Sequence, residues 1–420
     1  MSEIVGLVGM SHSPFATMLP PPGPAAPGGR FLADTARVAA AVRALSPDAV
    51  VVIGPDHFHA NFYDAMPPFT LGVAEAEGFG DFGSRSGPLP VAADLAWAVR
   101  DGLAADGFDI ALSYALTVDH GIVQSYDMVR GGADLPLVPL VVNTAAPPLP
   151  SMRRCLSLGR SLGAAVRVAD AGRVLVVASG GLSHWLPSND PRDAAVPADR
   201  RASMIHGRRD VRTASAARES RVRDLGGNPD APVNPSWDAW FLKQLVAADP
   251  DPVTELGDAL LEERAGSGGH EIRTWLIGFG AAARLPESAL AGRQPQRPDL
   301  RHRQVRQRTV PGRVEAGEAR LQDLQRVPVR HQQDVAVAVA PLQAGHQRGR
   351  PGEDGGRRLD PRAAGRAVAV GRPDLGVTGS RAAVEVAEEP LPQRGLELHR
   401  DRPQAVADDL RRLPRAGEVG

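Results

Sequence analysis

A chain of 420 residues is long enough for an α/β domain with an appendage, and a formal net charge of −1 lacks the basic footprint that nucleic-acid or anionic-membrane binding requires. The single cysteine, Cys155, excludes an internal disulfide framework and a cysteine-rich metal site, and its setting reads as a small buried hydrophobe rather than a catalytic thiol. No apolar run reaches membrane-spanning length and no signal core follows the N-terminus, so the expected location is cytoplasmic and the expected partner a small molecule.

Taken in chain order, residues 4–8 form the first predicted strand. Phe31, Thr35, Val38, Val42 and Leu45 then recur on one helical face, and Ser46-Pro47 closes that helix. The unbroken Ala-Val-Val-Val-Ile run at 49–53 suits a parallel strand covered on both faces. Further strands are predicted at 137–142 and 174–178, with helices near 93–103 and 152–166. This alternation, up to about residue 285, predicts an α/β fold: one domain with a central, largely parallel sheet flanked by helices.

From about residue 286 to 420 the composition changes, and Phe, Tyr, Trp, Met, Cys, Ile, Lys and Asn vanish. A segment without aromatics, rich in Arg, Pro, Gly, Ala and Val, lacks the side chains that supply most core burial and can hardly offset its ordering entropy, so a disordered tail is expected. The absent residue types are mostly those with AT-rich codons, the composition that a shifted reading frame in a GC-rich gene would produce. Interspersed acids and the lack of aromatics argue against RNA binding there.

Chemistry concentrates in five segments of the first part, each carrying a histidine: Met10-Ser11-His12-Ser13-Pro14, Gly54-Pro55-Asp56-His57, Val118-Asp119-His120-Gly121, Ser179-Gly180-Gly181-Leu182-Ser183-His184 and Gly269-His270-Glu271-Ile272. His12, His57 and His184 each follow a predicted strand, and ligands bind beyond the carboxyl ends of strands in open α/β sheets. Glu271 opens a helix whose Ile272, Trp275, Leu276 and Phe279 form an apolar stripe. Two neutral imidazoles and one carboxylate on one face of a metal leave positions open for substrate, the arrangement used by iron(II) enzymes that activate oxygen. Zinc binds similar ligands, so a hydrolase stays open on ligand chemistry alone, as does a protein that keeps the pocket merely to bind a partner. His59 is left out of the ligand set, although it would point to the same side as His57 if the segment stays extended. His206 lies in a charged stretch and reads as solvated surface.

At these residues the chain resembles the extradiol catechol dioxygenases of the protocatechuate 4,5-dioxygenase type. Further matching segments are Phe62-Tyr63-Asp64-Ala65-Met66-Pro67-Pro68-Phe69, Gly80-Asp81-Phe82-Gly83-Ser84, Asn234-Pro235-Ser236-Trp237-Asp238 and residues 270–275, so the likeness spans nearly all of 1–285. The resemblance implies that His12, His57 and Glu271 bind Fe(2+), that His120 and His184 serve as acid and base, and that the chain forms a homo-oligomer. It also implies a catechol substrate, 3-(2,3-dihydroxyphenyl)propanoate or 2,3-dihydroxycinnamate, opened by O2 beside its two hydroxyls. Arg85 and Arg273 are among the candidates for the substrate's carboxylate. The tail departs from the family, whose members end in a short aromatic- and proline-containing segment.

Overall fold

The computed structural model describes residues 1–18, 23, 25, 28–226, 233–283 and, in the tail, the backbone of 338–341. Its strands are β1 (Glu3–Met10), β2 (Ala49–Pro55), β3 (Phe69–Phe79), β4 (Ser86–Leu89), β5 (Ala111–Val118), β6 (Leu137–Val142), β7 (Arg173–Ser179) and β8 (Ala338–Pro341). The helices are α1 (Phe15–Met18), α2 (Gly29–Leu45), α3 (Ala93–Ala105), α4 (His120–Arg130), α5 (Met152–Val168), α6 (Ala198–His206), α7 (Val211–Gly226), α8 (Pro235–Val246), α9 (Asp251–Thr254), α10 (Asp258–Ala265) and α11 (Ile272–Ala282).

The strands join one eight-stranded sheet. Its centre, β6-β2-β7-β1, is parallel throughout. β3 continues the sheet antiparallel to β6, and carries β5 parallel and β4 antiparallel. Four residues of the tail, β8, run antiparallel along β1, while the expected disorder of the remaining tail falls outside the described residues.

The central strands are apolar on both faces because helices cover both. Ala49, Val51 and Ile53 of β2, with Val174 and Val176 of β7, enter one core beside Leu95 and Val99 of α3, Leu158 and Leu162 of α5, and Trp275 and Leu276 of α11. Their sequence neighbours Val50, Val52, Leu175 and Val177 enter the other core, against Phe31, Val38 and Val42 of α2 and Ile122, Tyr126 and Val129 of α4. The period of two along each strand thus divides consecutive residues between two cores. A third apolar cluster, Phe58, Phe62, Ala146, Val196, Met204 and Ala214, anchors α6 and α7 beside the carboxyl ends of the strands. Among the described residues no helix is long and apolar enough to cross a membrane.

The α/β reading agrees with this architecture, and the predicted strands and helices occur within a few residues of their expected ends. β3, β4, β5, α4 and the helices between β7 and α11 had no predicted counterpart. Cys155 is buried as expected, and burial pushes its thiol up to about 12, which leaves it an inert packing group.

Candidate active site

The four central parallel strands end on one side of the sheet, where His12, His57 and His184 follow them, and Asp81, Asp119, His120 and Glu271 come to the same place from β3, β5 and the start of α11. His12 follows β1 and His57 follows β2. Asp81 follows β3, which runs parallel to β5, and Asp119 and His120 follow β5. The segment 180–184 leaves β7, and Glu271 precedes α11. Trp275 holds that helix in place: its indole is buried and its Nε1–H donates to the Gly180 carbonyl at 2.8 Å.

Glu271 is the centre of the constellation. Its Oε2 lies 3.4 Å from His12 Nε2, and its Oε1 lies 3.6 Å from His57 Nε2 and 3.8 Å from His184 Nε2. Cis ligands at about 2.1 Å from a metal stand about 3 Å apart, so these separations are close to those of a filled site. The backbone N–H of Gly181 donates to Oε2 at 2.5 Å. Burial raises the Glu271 carboxyl, but His12, His57 and His184 outweigh it and hold the group below its ordinary range, so it is a carboxylate.

Second partners select the ring tautomers. Ser179 Oγ donates to the Gly121 carbonyl at 2.5 Å, so it accepts from His12 Nδ1 at 3.0 Å. The Nε2 lone pair of His12 then faces the carboxylate, and burial lowers this imidazole to about 3, keeping it neutral. His57 Nδ1 donates to Asp119 Oδ2 at 3.1 Å, and the same oxygen takes the His57 backbone N–H at 2.6 Å. Burial acts to lower His57, yet Asp119 and Glu271 together hold it up at about 10. A proton thus sits between two carboxylates, where a divalent cation would take the Nε2 lone pair in its place. Neutral His12, His57 oriented by a carboxylate, and anionic Glu271 fit a divalent metal.

His120 Nδ1 faces Asp81 Oδ2 at 2.5 Å, and its ring stacks on His57 with centroids 4.5 Å apart. The donor nitrogens of His12, His57 and His120 lie within 4.8 Å of one another, so His120 is close enough to compete for a metal. His184 differs from it in its partner: Nδ1 donates to the Leu182 carbonyl at 3.0 Å. Its ring lies against the backbone of Gly268, where a Cβ would fall within the van der Waals radius of the ring atoms.

The site opens into a cavity of about 590 Å³. His12, His57, His120 and Glu271 form part of its wall, and α6 and α7 form another part. The Ser13 and Thr144 hydroxyls also line it, buried and without a partner among the described residues.

All five predicted site residues, His12, His57, His120, His184 and Glu271, therefore meet. His59 does not join them. Phe58 adopts a positive φ of 61°, so the segment is bent rather than extended, and His59 turns to the far side of Asp119, bonding Asp119 Oδ2 at 3.1 Å and Ser215 Oγ at 2.9 Å. His206 is exposed, as read from its charged surroundings. Neither named arginine reaches the cavity. Arg273 is fully buried among Pro150, His270 and Asp258, and Arg85 is held by Pro88 and Asp127. Sequence reasoning gave no role to Asp81, Asp119 or Ser179, although each lies in a quoted motif. Their burial was the missing signal.

Residues 6–293 match the family described as the catalytic LigB subunit of aromatic ring-opening dioxygenase. The chain is 38% identical over 283 residues to a protein of Paraburkholderia xenovorans named 2,3-dihydroxyphenylpropionate/2,3-dihydroxicinnamic acid 1,2-dioxygenase, covering 65% of this chain and 86% of that one. A protein of the same name from Burkholderia vietnamiensis is 40% identical over 286 residues, covering 65% of this chain and 87% of the relative. One from Rhodococcus jostii is 37% identical over 243 residues, covering 56% and 76%. With its histidines and carboxylate gathered at the strand ends, the chain belongs to the LigB family and is an extradiol catechol dioxygenase.

Proposed function

We propose that the protein opens 3-(2,3-dihydroxyphenyl)propanoate, and its unsaturated relative 2,3-dihydroxycinnamate, beside the two hydroxyls with O2, using Fe(2+) held by His12, His57 and Glu271. The observation that carries this reading is the convergence of both imidazole Nε2 atoms on the two oxygens of one buried carboxylate, at 3.4 and 3.6 Å. Relatives named for these two substrates support the choice of catechol. When bound, the iron supplies a redox-active Lewis acid that couples the electron-rich ring to oxygen.

The two remaining histidines divide the proton transfers according to their partners. His184 donates Nδ1–H to a neutral carbonyl, so Nε2 carries a lone pair and takes the second hydroxyl proton of the catechol. His120 donates Nδ1–H to Asp81. Burial raises the Asp81 carboxyl, but His120 outweighs it and the group lies below its ordinary range, so an anion stands ready to compensate a second proton on His120 Nε2. His120 is therefore the acid that protonates the departing oxygen when carbon migrates. Burial of Asp81, Asp119 and His120 keeps bulk water from the transfer at His120.

Oxygen uptake tests the reading. Protein loaded anaerobically with Fe(2+) should consume O2 and give a yellow ring-opened product on addition of the 2,3-dihydroxyphenyl substrate, and zinc-loaded protein should not. Turnover with zinc, or none with iron on any catechol, would refute it.

A further inference from the structure

Three arginines of α6 and α7 line the cavity that holds the histidines: Arg200 on α6, and Arg218 and Arg221 one turn apart on α7. None forms an ion pair with a carboxylate of the described residues. Arg200 donates to the Pro187 carbonyl at 3.0 Å and to Asn189 Oδ1 at 2.6 Å. Arg218 donates to the Phe58 carbonyl and meets His59 Nδ1, both at 3.3 Å. Arg221 has no hydrogen bond or ion pair with any described residue.

Three like charges on one wall repel, and the structure carries the trace of that repulsion. Burial lowers Arg200, and neighbouring Arg221 lowers it further, against the pull of Asp193. Burial also lowers Arg218, with Arg221 acting in the same direction against Asp119, Asp56 and Asp81. Arg221 is thus close to both. The carboxylates that line the same cavity are engaged elsewhere: Asp190 by Arg192 at 2.7 Å, Asp193 by the Ala195 N–H at 2.9 Å, Glu262 by His270 at 2.8 Å, and Glu271 by its histidines. An anionic ligand group would relieve the repulsion and fill the unused donors, and a planar guanidinium matches a carboxylate through two parallel hydrogen bonds.

We infer that Arg221, flanked by Arg200 and Arg218, binds the side-chain carboxylate of the catechol substrate and makes the enzyme selective for acidic catechols. This deepens the substrate reading proposed above. Catechol chemistry occurs at the strand ends, and the α7 wall recognises what the ring carries.

The test separates recognition from chemistry by titrating the metal-free full chain with 3-phenylpropanoate and with its neutral amide, 3-phenylpropanamide, by calorimetry. Wild type should bind the acid more tightly, and the preference should shrink with salt. Arg221→Gln should weaken acid binding about 10- to 100-fold, the range for a lost charge-assisted contact, so that acid and amide bind alike. Arg221→Lys should restore part of the difference, which a variant that had merely unfolded could not do. No acid preference in wild type, or an acid preference retained by Arg221→Gln, would overturn the assignment, as would its loss in Arg200→Gln alone. If the acid preference is present but the iron-loaded protein takes up no oxygen with any catechol, the reaction reading fails and the carboxylate site stands.

Discussion

Asp81 grips His120 with both oxygens: Oδ2 lies 2.5 Å from the ring Nδ1, and Oδ1 takes the backbone N–H at 2.9 Å. The ring is thereby fixed in direction and tautomer. Asp81→Asn keeps the shape but removes the charge that balances a proton on Nε2. It should lower kcat about 10- to 100-fold, with KM and metal content near wild type. Wild-type turnover in this variant would show that Asp81 only packs.

The ligand assignment rests on a choice between Glu271 and His120, both close to His12 and His57. Glu271→Ala should lose iron, because two neutral imidazoles remain for a divalent ion that favours an anionic oxygen donor. His120→Ala should keep iron and lose about a hundred- to ten-thousand-fold in turnover, the usual range for a missing general acid. Metal analysis of the two purified variants checks this, and the reverse pattern would make His120 the ligand.

Gly268 leaves no room for a side chain against the His184 ring. Gly268→Ala should therefore push that ring from its place near Glu271 and cut kcat about a hundredfold, since small misplacements of a catalytic group cost that much. Iron content should be unchanged. A fully active variant would show that the loop yields freely or that His184 is not the base.

Asp238 accepts from the backbone N–H of Ser183 at 2.8 Å and from its hydroxyl at 2.9 Å, which steadies the loop carrying His184. Burial raises its carboxyl to about 6 despite those bonds. A folded-state pKa above the unfolded one contributes stability that is full below about pH 4 and is lost as pH rises through about 6. Chemical unfolding across that window should show wild type losing stability relative to Asp238→Asn as pH rises. A constant difference would place this carboxyl in a water-like environment.

The sequence by itself determined the α/β alternation, because β2 is an unbroken apolar run and α2 carries an apolar stripe of helical period, and both patterns are local. It also singled out five residues that the fold brings together, since each follows or begins a regular element and the motifs around them resemble one family. It left β3 and β5 unread: β3 mixes buried and exposed positions, and β5 shows much of its length to solvent, so neither has the continuous apolar run of the central strands. Only the tertiary structure decided what stands behind each histidine. Asp81, Asp119 and Ser179 acquire their roles through hydrogen bonds between elements distant in the chain, which no local pattern encodes. The same is true of the arginines. Arg273 and Arg221 look alike as residue types, yet packing buries one completely while α7, anchored on the third apolar cluster, places the other in the cavity wall, and a guanidinium recognises a ligand only where it remains unpaired and reachable.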